Sequence, residues 1–257
     1  MELGRVESET HFLRLRSGKD RRSIKNAMTI EKTLRALDDL IRERSILQHP
    51  FYRAWQRGEL TSDQLATYSR VYYPHVAAFP RYLKNAINHS GDSVIRAALE
   101  QNLDDELTNP APHPELWLDF AVATGQERRE VKYAAPVGKV ADSIATFDRL
   151  TDRDIASGLT ALYAYESQQP EVAAEKLCGL RDCYGIHSPQ ALSYFAVHAT
   201  ADVEHRAAER CAIGRCLDSG TSPGTIMNAA AEALDAYWNL LDGVCKEASL
   251  QLTEAQL

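Results

Sequence analysis

Helix starts recur along this chain in a form that leaves few folds open. Thr61-Ser62-Asp63, Asp92-Ser93, Ser188-Pro189 and Ser222-Pro223 each place a short oxygen-bearing side chain ahead of an apolar-periodic stretch. Such a side chain accepts from one of the amides that a helix start leaves unpaired, and proline at the first helical position has no amide to leave unpaired. His113-Pro114-Glu115 and Pro170 repeat the signal. Ile30, Leu34, Leu37 and Ile41 mark the first apolar face, with Thr29 expected as its N-cap. His49-Pro50 should end that helix, and a short one should run through Trp55 to Gly58. The helix capped at Thr61 should reach Asn88 with a kink or break at Pro74 and Pro80. The next should end before Pro110, and the His113 helix should close at Gly125. Helices are expected over 137–150 and 152–168, with Thr151 and Asp154 as a capping-box pair. The Pro170 helix should end near Gly185, the Ser188 helix near Leu217, and the last helix near Lys246. No sustained period-2 segment and no repeat of about 20–50 residues interrupts this pattern. The expected fold is all-α, a single compact bundle of about seven to eight helices. Its domain spans 29–250. Residues 1–28, with Arg14, Arg16, Lys19, Arg21, Arg22 and Lys25 and few apolar side chains, read as a flexible extension.

Charge and hydropathy exclude several classes. The net charge is -7, so there is no basic footprint for nucleic acid. No apolar run approaches about 20 residues, so no membrane span is expected, and the N-terminus has no apolar leader segment. Cys178, Cys183, Cys211, Cys216 and Cys245 are odd in number and form no CxxC pair. They read as reduced core thiols of a cytoplasmic protein.

The chemistry is concentrated in His198-Ala199-Thr200-Ala201-Asp202-Val203-Glu204-His205. Two imidazoles and a carboxylate at i, i+4 and i+7 share one helical face. That face belongs to an Ala-rich helix that should pack into the core, where unpaired polar groups are costly. A transition-metal ion satisfies all three. One helix supplies too few ligands, and Glu106, His113 and Glu166 are the further candidates, each on a helix face or helix start expected to be buried. Spacing alone does not join them to the triad, and each has an ordinary alternative as a solvated or helix-start residue. Three imidazoles with three carboxylates suit iron or manganese better than structural zinc. Two divalent ions would bring four positive charges against three negative ones, leaving the site attractive to an anionic bridge. Inward-projecting carboxylates and histidines from several helices build di-iron sites in this way.

The chain resembles the CADD family of heme-oxygenase-like di-metal oxidases. The resemblance runs from about Thr29 to Gly220. It rests on His49-Pro50-Phe51-Tyr52, Glu106 with His113-Pro114-Glu115-Leu116-Trp117, Tyr165-Glu166, Glu175-Lys176 with Tyr184-Gly185, and His198 with Asp202 and His205. It implies a TENA/PqqC-type bundle, a homodimer, and a metal pair, Fe/Fe or Mn/Fe, on Glu106, His113, Glu166, His198, Asp202 and His205. It also implies an oxidoreductase that takes dioxygen and electrons from an external reductant and makes para-aminobenzoate for folate synthesis from its own tyrosine. On this sequence that tyrosine is Tyr52 and the amine donor is Lys176, with Tyr68 and Tyr165 as candidate redox relays. A tyrosine ring plus Cβ has the seven carbons that para-aminobenzoate needs. Two other readings use the same residues differently: a multi-turnover di-iron oxygenase acting on an external amino acid or fatty acid, and a non-enzymatic protein of the death-domain-interacting type.

Overall fold

Eleven α-helices and one 3-10 turn follow one another in the computed structural model, which describes the backbone of residues 3–250 and the side chains of 23–250. They are α1 (Leu3–Glu43), α2 (Pro50–Gln56), α3 (Ser62–His89), α4 (Ser93–Thr108), α5 (His113–Ala123), α6 (Arg128–Lys132), α7 (Gly138–Thr151), α8 (Ile155–Glu166), α9 (Gln169–Asp182), α10 (Pro189–Asp218) and α11 (Pro223–Glu247). Among the described residues there is no strand, and no helix is long and apolar enough to cross a membrane. The all-α expectation holds, with more helices than anticipated because α2 and α6 are short pieces between the long ones.

Helix α8 sits at the centre: every residue from Ala156 to Glu166 is buried. A helix apolar all round needs neighbours on every side, and α3, α7, α10 and α11 supply them. Helix α4 buries a single stripe, Ile95, Leu99, Asn102 and Glu106, and α10 buries a longer one that carries His198, Asp202, His205 and Glu209. The α4 stripe is apolar at its start and polar at its end, and the α10 stripe is apolar at both ends and polar in the middle.

Local starts follow the side-chain acceptors. Thr61 closes a capping box with Gln64, and Asp92, Ser188 and Ser222 accept from the first turns of α4, α10 and α11. Four expectations need correction. Helix α1 does not begin at Thr29: the backbone is helical from Leu3, and the Thr29 hydroxyl donates back to the Lys25 carbonyl at 2.9 Å instead of capping. The side chains of 1–22 lie outside the described residues. His49 does not end α1, which stops at Glu43; after the 3-10 turn Ile46–Gln48 its Nδ1 accepts from the Phe51 amide at 3.0 Å and caps α2. Thr151 belongs to the end of α7 and donates to the Phe147 carbonyl, so Asp154 caps α8 alone. Pro74 and Pro80 do not break α3, which runs 28 residues through both. Both prolines are buried, and α3 packs against α4, α5, α7, α8 and α11. That packing offsets the backbone bonds the two rings remove. The cysteines split: Cys216 and Cys245 are core thiols, whereas Cys178, Cys183 and Cys211 are exposed, and all five are free.

Candidate metal centre

Four helices converge on one buried cluster. Glu106 comes from the last turn of α4, His113 opens α5, Glu166 ends α8, and α10 contributes His198, Asp202 and His205. All six are buried. They fall into two triplets, Glu106 with His113 and His198, and Glu166 with Asp202 and His205; within each, one ligand atom per residue lies within 4.8 Å of the others. His113 Nδ1 is 2.9 Å from Glu106 Oε1 and His198 Nε2 is 3.6 Å from the same oxygen. His205 Nδ1 is 3.3 Å from Asp202 Oδ1 and 3.5 Å from Glu166 Oε1.

The second nitrogen of each imidazole is held from behind. His113 Nε2 faces the Asn109 carbonyl at 3.0 Å, His198 Nδ1 faces the Tyr194 carbonyl at 2.7 Å, and His205 Nε2 faces Asp105 Oδ2 at 3.1 Å. With these nitrogens as donors, His113 Nδ1, His198 Nε2 and His205 Nδ1 are left to face the carboxylates. This is the arrangement that orients metal-binding histidines and fixes their tautomer. The Asn102 amide donates to both Glu166 oxygens, at 3.0 and 3.2 Å, and aims that carboxylate. Asp202 Oδ2 is buried without a hydrogen-bond partner, and His113 Nδ1 has none besides its close approach to Glu106. Orphaned buried groups of this kind call for an explanation, and a pair of metal ions fits the donor set.

Without metal, protons take the place of the ions. Burial alone would lower the His198 imidazole, but the Asp202 and Glu106 carboxylates raise it to about 9. His205 is driven up to about 11, because its bonds to Asp202, Glu166 and Asp105 overcome burial. Glu106 falls to about 2: burial pushes it up, and the bonds from His113 and His198 more than reverse that. Metal binding therefore displaces protons from the same atoms that would hold the ions.

A closed aromatic sector adjoins the Glu106–His113–His198 side. Tyr194 lies against His198 with ring centroids 4.1 Å apart, Trp117 against Tyr194 at 4.9 Å, and Tyr68 against Trp117 at 5.6 Å. Lys176, on α9, ends inside it. Its Nζ donates to the Tyr68 hydroxyl and sits 4.7–5.5 Å from the ring centres of Tyr52, Tyr68, Tyr72, Trp117 and Phe195. Burial pushes the amine well below its ordinary value. Tyr52 is fully buried on α2, its hydroxyl has no hydrogen-bond partner, and burial with the neighbouring phenols raises it well above the ordinary phenol value. The Tyr165 hydroxyl pairs with Tyr72 at 3.1 Å, next in sequence to Glu166. Tyr52 and Tyr68 thus come together around the Lys176 amine, with Tyr165 one ring farther away through Tyr72, and the six acid and imidazole residues around two positions. The cavity lined by Glu106, Tyr165, Tyr194 and His198 has a volume of about 10 Å³.

On the other side, between α4 and α10, a cleft of about 610 Å³ opens to solvent past Asn102, Asp105, His205 and Glu209. Glu209 was not among the residues singled out by sequence. It continues the α10 pattern four residues past His205, and that spacing was the available signal.

The fold and the paired triplets define a helical, metal-dependent oxidoreductase of heme-oxygenase-like architecture. The family model for iron-containing redox enzymes matches residues 66–238, and the chain belongs to that family. It is 37% identical over 218 residues to a 4-aminobenzoate synthase of Nitrosomonas europaea, covering 81% of this chain and 89% of the relative. Among solved structures it is similar to a TenA homologue of Pseudomonas syringae pv. tomato, with a TM-score of 0.70 at 17% identity, covering 84% of this chain and 93% of the other. A CADD-like protein of unknown function from Nostoc punctiforme superimposes with a TM-score of 0.67 at 19% identity, covering 88% of this chain and all (100%) of the other. The resemblance read from the motifs is the one the comparisons return.

Proposed function

We propose that this chain is a 4-aminobenzoate synthase that forms its product from Tyr52 of its own sequence, with Lys176 as the amine donor. The observation that carries this reading is the filled aromatic sector. Beside the metal cluster the cavity of about 10 Å³ has room for about one water. An external aromatic substrate has no place there, whereas Tyr52 and Lys176 already occupy the space. A metal pair on the six residues, Fe/Fe or Mn/Fe, supplies with dioxygen and an external reductant the oxidising power that a phenol requires. The chain's own residues do the rest. Burial disfavours the charged form of Lys176, which favours its nitrogen as a nucleophile. The Tyr68 hydroxyl holds that amine against the rings. Tyr68 and Tyr165 serve as relays between the cluster and Tyr52, and the aromatic wall excludes water from the reacting ring. The protein works in the cytoplasm as a homodimer.

The test expresses Tyr52→Phe and Lys176→Arg in cells without their own 4-aminobenzoate route. Both should fail to support growth that wild type supports, and the Tyr52 peptide of spent wild-type protein should have lost mass. Rescue by both variants sinks the reading. The cleft of about 610 Å³ beside His205 favours one other reading, an oxygenase of an external small molecule. Many products per chain, with intact Tyr52, would establish that instead.

A further inference from the structure

We infer that Glu209 is an additional protein ligand of the metal position formed by Glu166, Asp202 and His205, which sets that position apart as the one facing solvent. The inference rests on the two-metal reading above. Glu209 is 3% exposed, and neither carboxylate oxygen has a hydrogen-bond partner. It lies on the same buried stripe of α10, one turn beyond His205 and two beyond Asp202. Its acidic neighbours are the Glu166 and Asp202 carboxylates.

No cation in the surrounding protein answers this carboxyl. The Asn102 amide is spent on Glu166. The flanking cations point elsewhere: Arg206 bonds Glu171 and the Ser167 carbonyl, and Arg210 bonds Asp38. His205 is committed to Asp105, Asp202 and Glu166. A buried carboxyl beside two others is expensive unless a cation joins them. With Glu209 the cluster holds four carboxylates, which two divalent ions neutralise in full; with the six residues alone one positive charge is left over.

Access distinguishes the two positions. Both His205 and Glu209 line the open cleft, along with Asp105 and Glu204. Glu106, His113 and His198 do not line it; Glu106 and His198 border the closed cavity next to Tyr194, which Glu166 and Asp202 also line, so that of the ligand candidates His205 and Glu209 are the two that reach the cleft. An ion held by Glu166, Asp202 and His205 would therefore exchange through the cleft past His205 and Glu209, a route on which the Glu106–His113–His198 triplet has no residue.

The experiment loads wild type and Glu209→Gln with Fe(II) without oxygen and follows release to ferrozine. Wild type should hold two ions per chain and release them in two phases. Glu209→Gln keeps the shape and the capacity to donate a hydrogen bond to Glu166 but not the charge. It should speed one phase by about tenfold or more, in line with the loss of a metal-supporting carboxylate, and leave the other unchanged. Its metal-free thermal midpoint should equal or exceed that of wild type, which separates ligand loss from misfolding, and the upward shift on adding Fe(II) should shrink. Two wild-type-like phases in Glu209→Gln overturn the role of Glu209 and leave the two-metal reading standing. A wild type holding fewer than two ions overturns that reading and this inference together.

Discussion

At the scale of single residues, the molecule places groups where burial is costly and the cost has a use. Lys176 is the clearest case. An amine 3% exposed, bonded only to the Tyr68 hydroxyl and walled by rings, has its charged form disfavoured by burial. Its pKa is lowered on folding, so the folded chain gives up stability at every pH below the amine's unfolded value. Lys176→Met fills the same space without that penalty. The variant should therefore raise the thermal midpoint at pH 7 by about 2–4 °C, the shift expected for roughly 1 kcal/mol in a domain of this size, while ending product formation. An unchanged or lower midpoint would mean that the Tyr68 bond outweighs the desolvation. The sequence was unequal in what it revealed at this scale. His198, Asp202 and His205 stood out because their spacing put polar groups on a face that had to be buried. Glu209 obeys the same spacing, but set beside Glu204, Arg206 and Arg210 that spacing does not by itself separate a buried acid from a solvated one. Tyr52 and Lys176 have none either: a core aromatic and a helix lysine look alike whatever they do, and only the family resemblance marked them.

At the scale of elements, helix starts were legible because a cap or a proline acts through bonds to its own turn. Thr61, Asp92, Ser188 and Ser222 all cap where the sequence places them. Thr29 and Thr151 failed because both hydroxyls donate to a carbonyl four residues back within a helix, an option equally available to them. Pro74 and Pro80 do not end α3 because packing around it, which local sequence does not contain, outweighs two lost backbone bonds. The same dependence on partners sets the distance between α2 and α9. A Cβ at Gly179 would stand 2.2 Å from Trp55 Nε1, so these helices touch through a bare backbone. Trp55 lies three residues beyond Tyr52, and Gly179 three beyond Lys176, so this contact fixes how far the amine is from the ring. Gly179→Ala gains about 1 kcal/mol of helix propensity but overpacks a closed contact at about 1–3 kcal/mol. Chemical denaturation should show a net loss of stability. Product per chain should fall while bound iron stays at the wild-type level, because the cluster lies on other helices. Wild-type yield from a stably folded Gly179→Ala would show that the Tyr52–Lys176 spacing is not set here.

At the scale of the whole molecule, a bundle that buries so many titratable groups must be sensitive to acid, and the sign follows from which form each group is held in. His49 is lowered to about 4, by burial foremost and by Lys139, against the opposing pull of Asp242. His75 is lowered to about 3 by burial among Tyr72, Tyr82, Phe147 and Tyr165, and its Nε2 has no hydrogen-bond partner. Both are neutral when folded and take up a proton near pH 6.5 when unfolded. Their contribution is complete above about 6.5 and is lost as pH falls toward the folded values, since the unfolded chain then binds more protons. His198 and His205 act in the opposite window. Their folded values are raised, so their contribution is complete below about 6.5 and fades as pH rises toward 9 and 11. The metal-free protein should therefore be most stable in mildly acid to neutral solution, and its acid limb should belong largely to the two neutral histidines. His75 alone should account for about 3 kcal/mol between pH 7 and pH 4, from a shift of some three and a half pH units. His75→Gln, neutral throughout, should lose correspondingly less across that interval in urea titrations of metal-free protein, whatever its stability at pH 7. Parallel declines in wild type and variant would place the acid sensitivity elsewhere, with Glu106 and its imidazole partners the next groups to test.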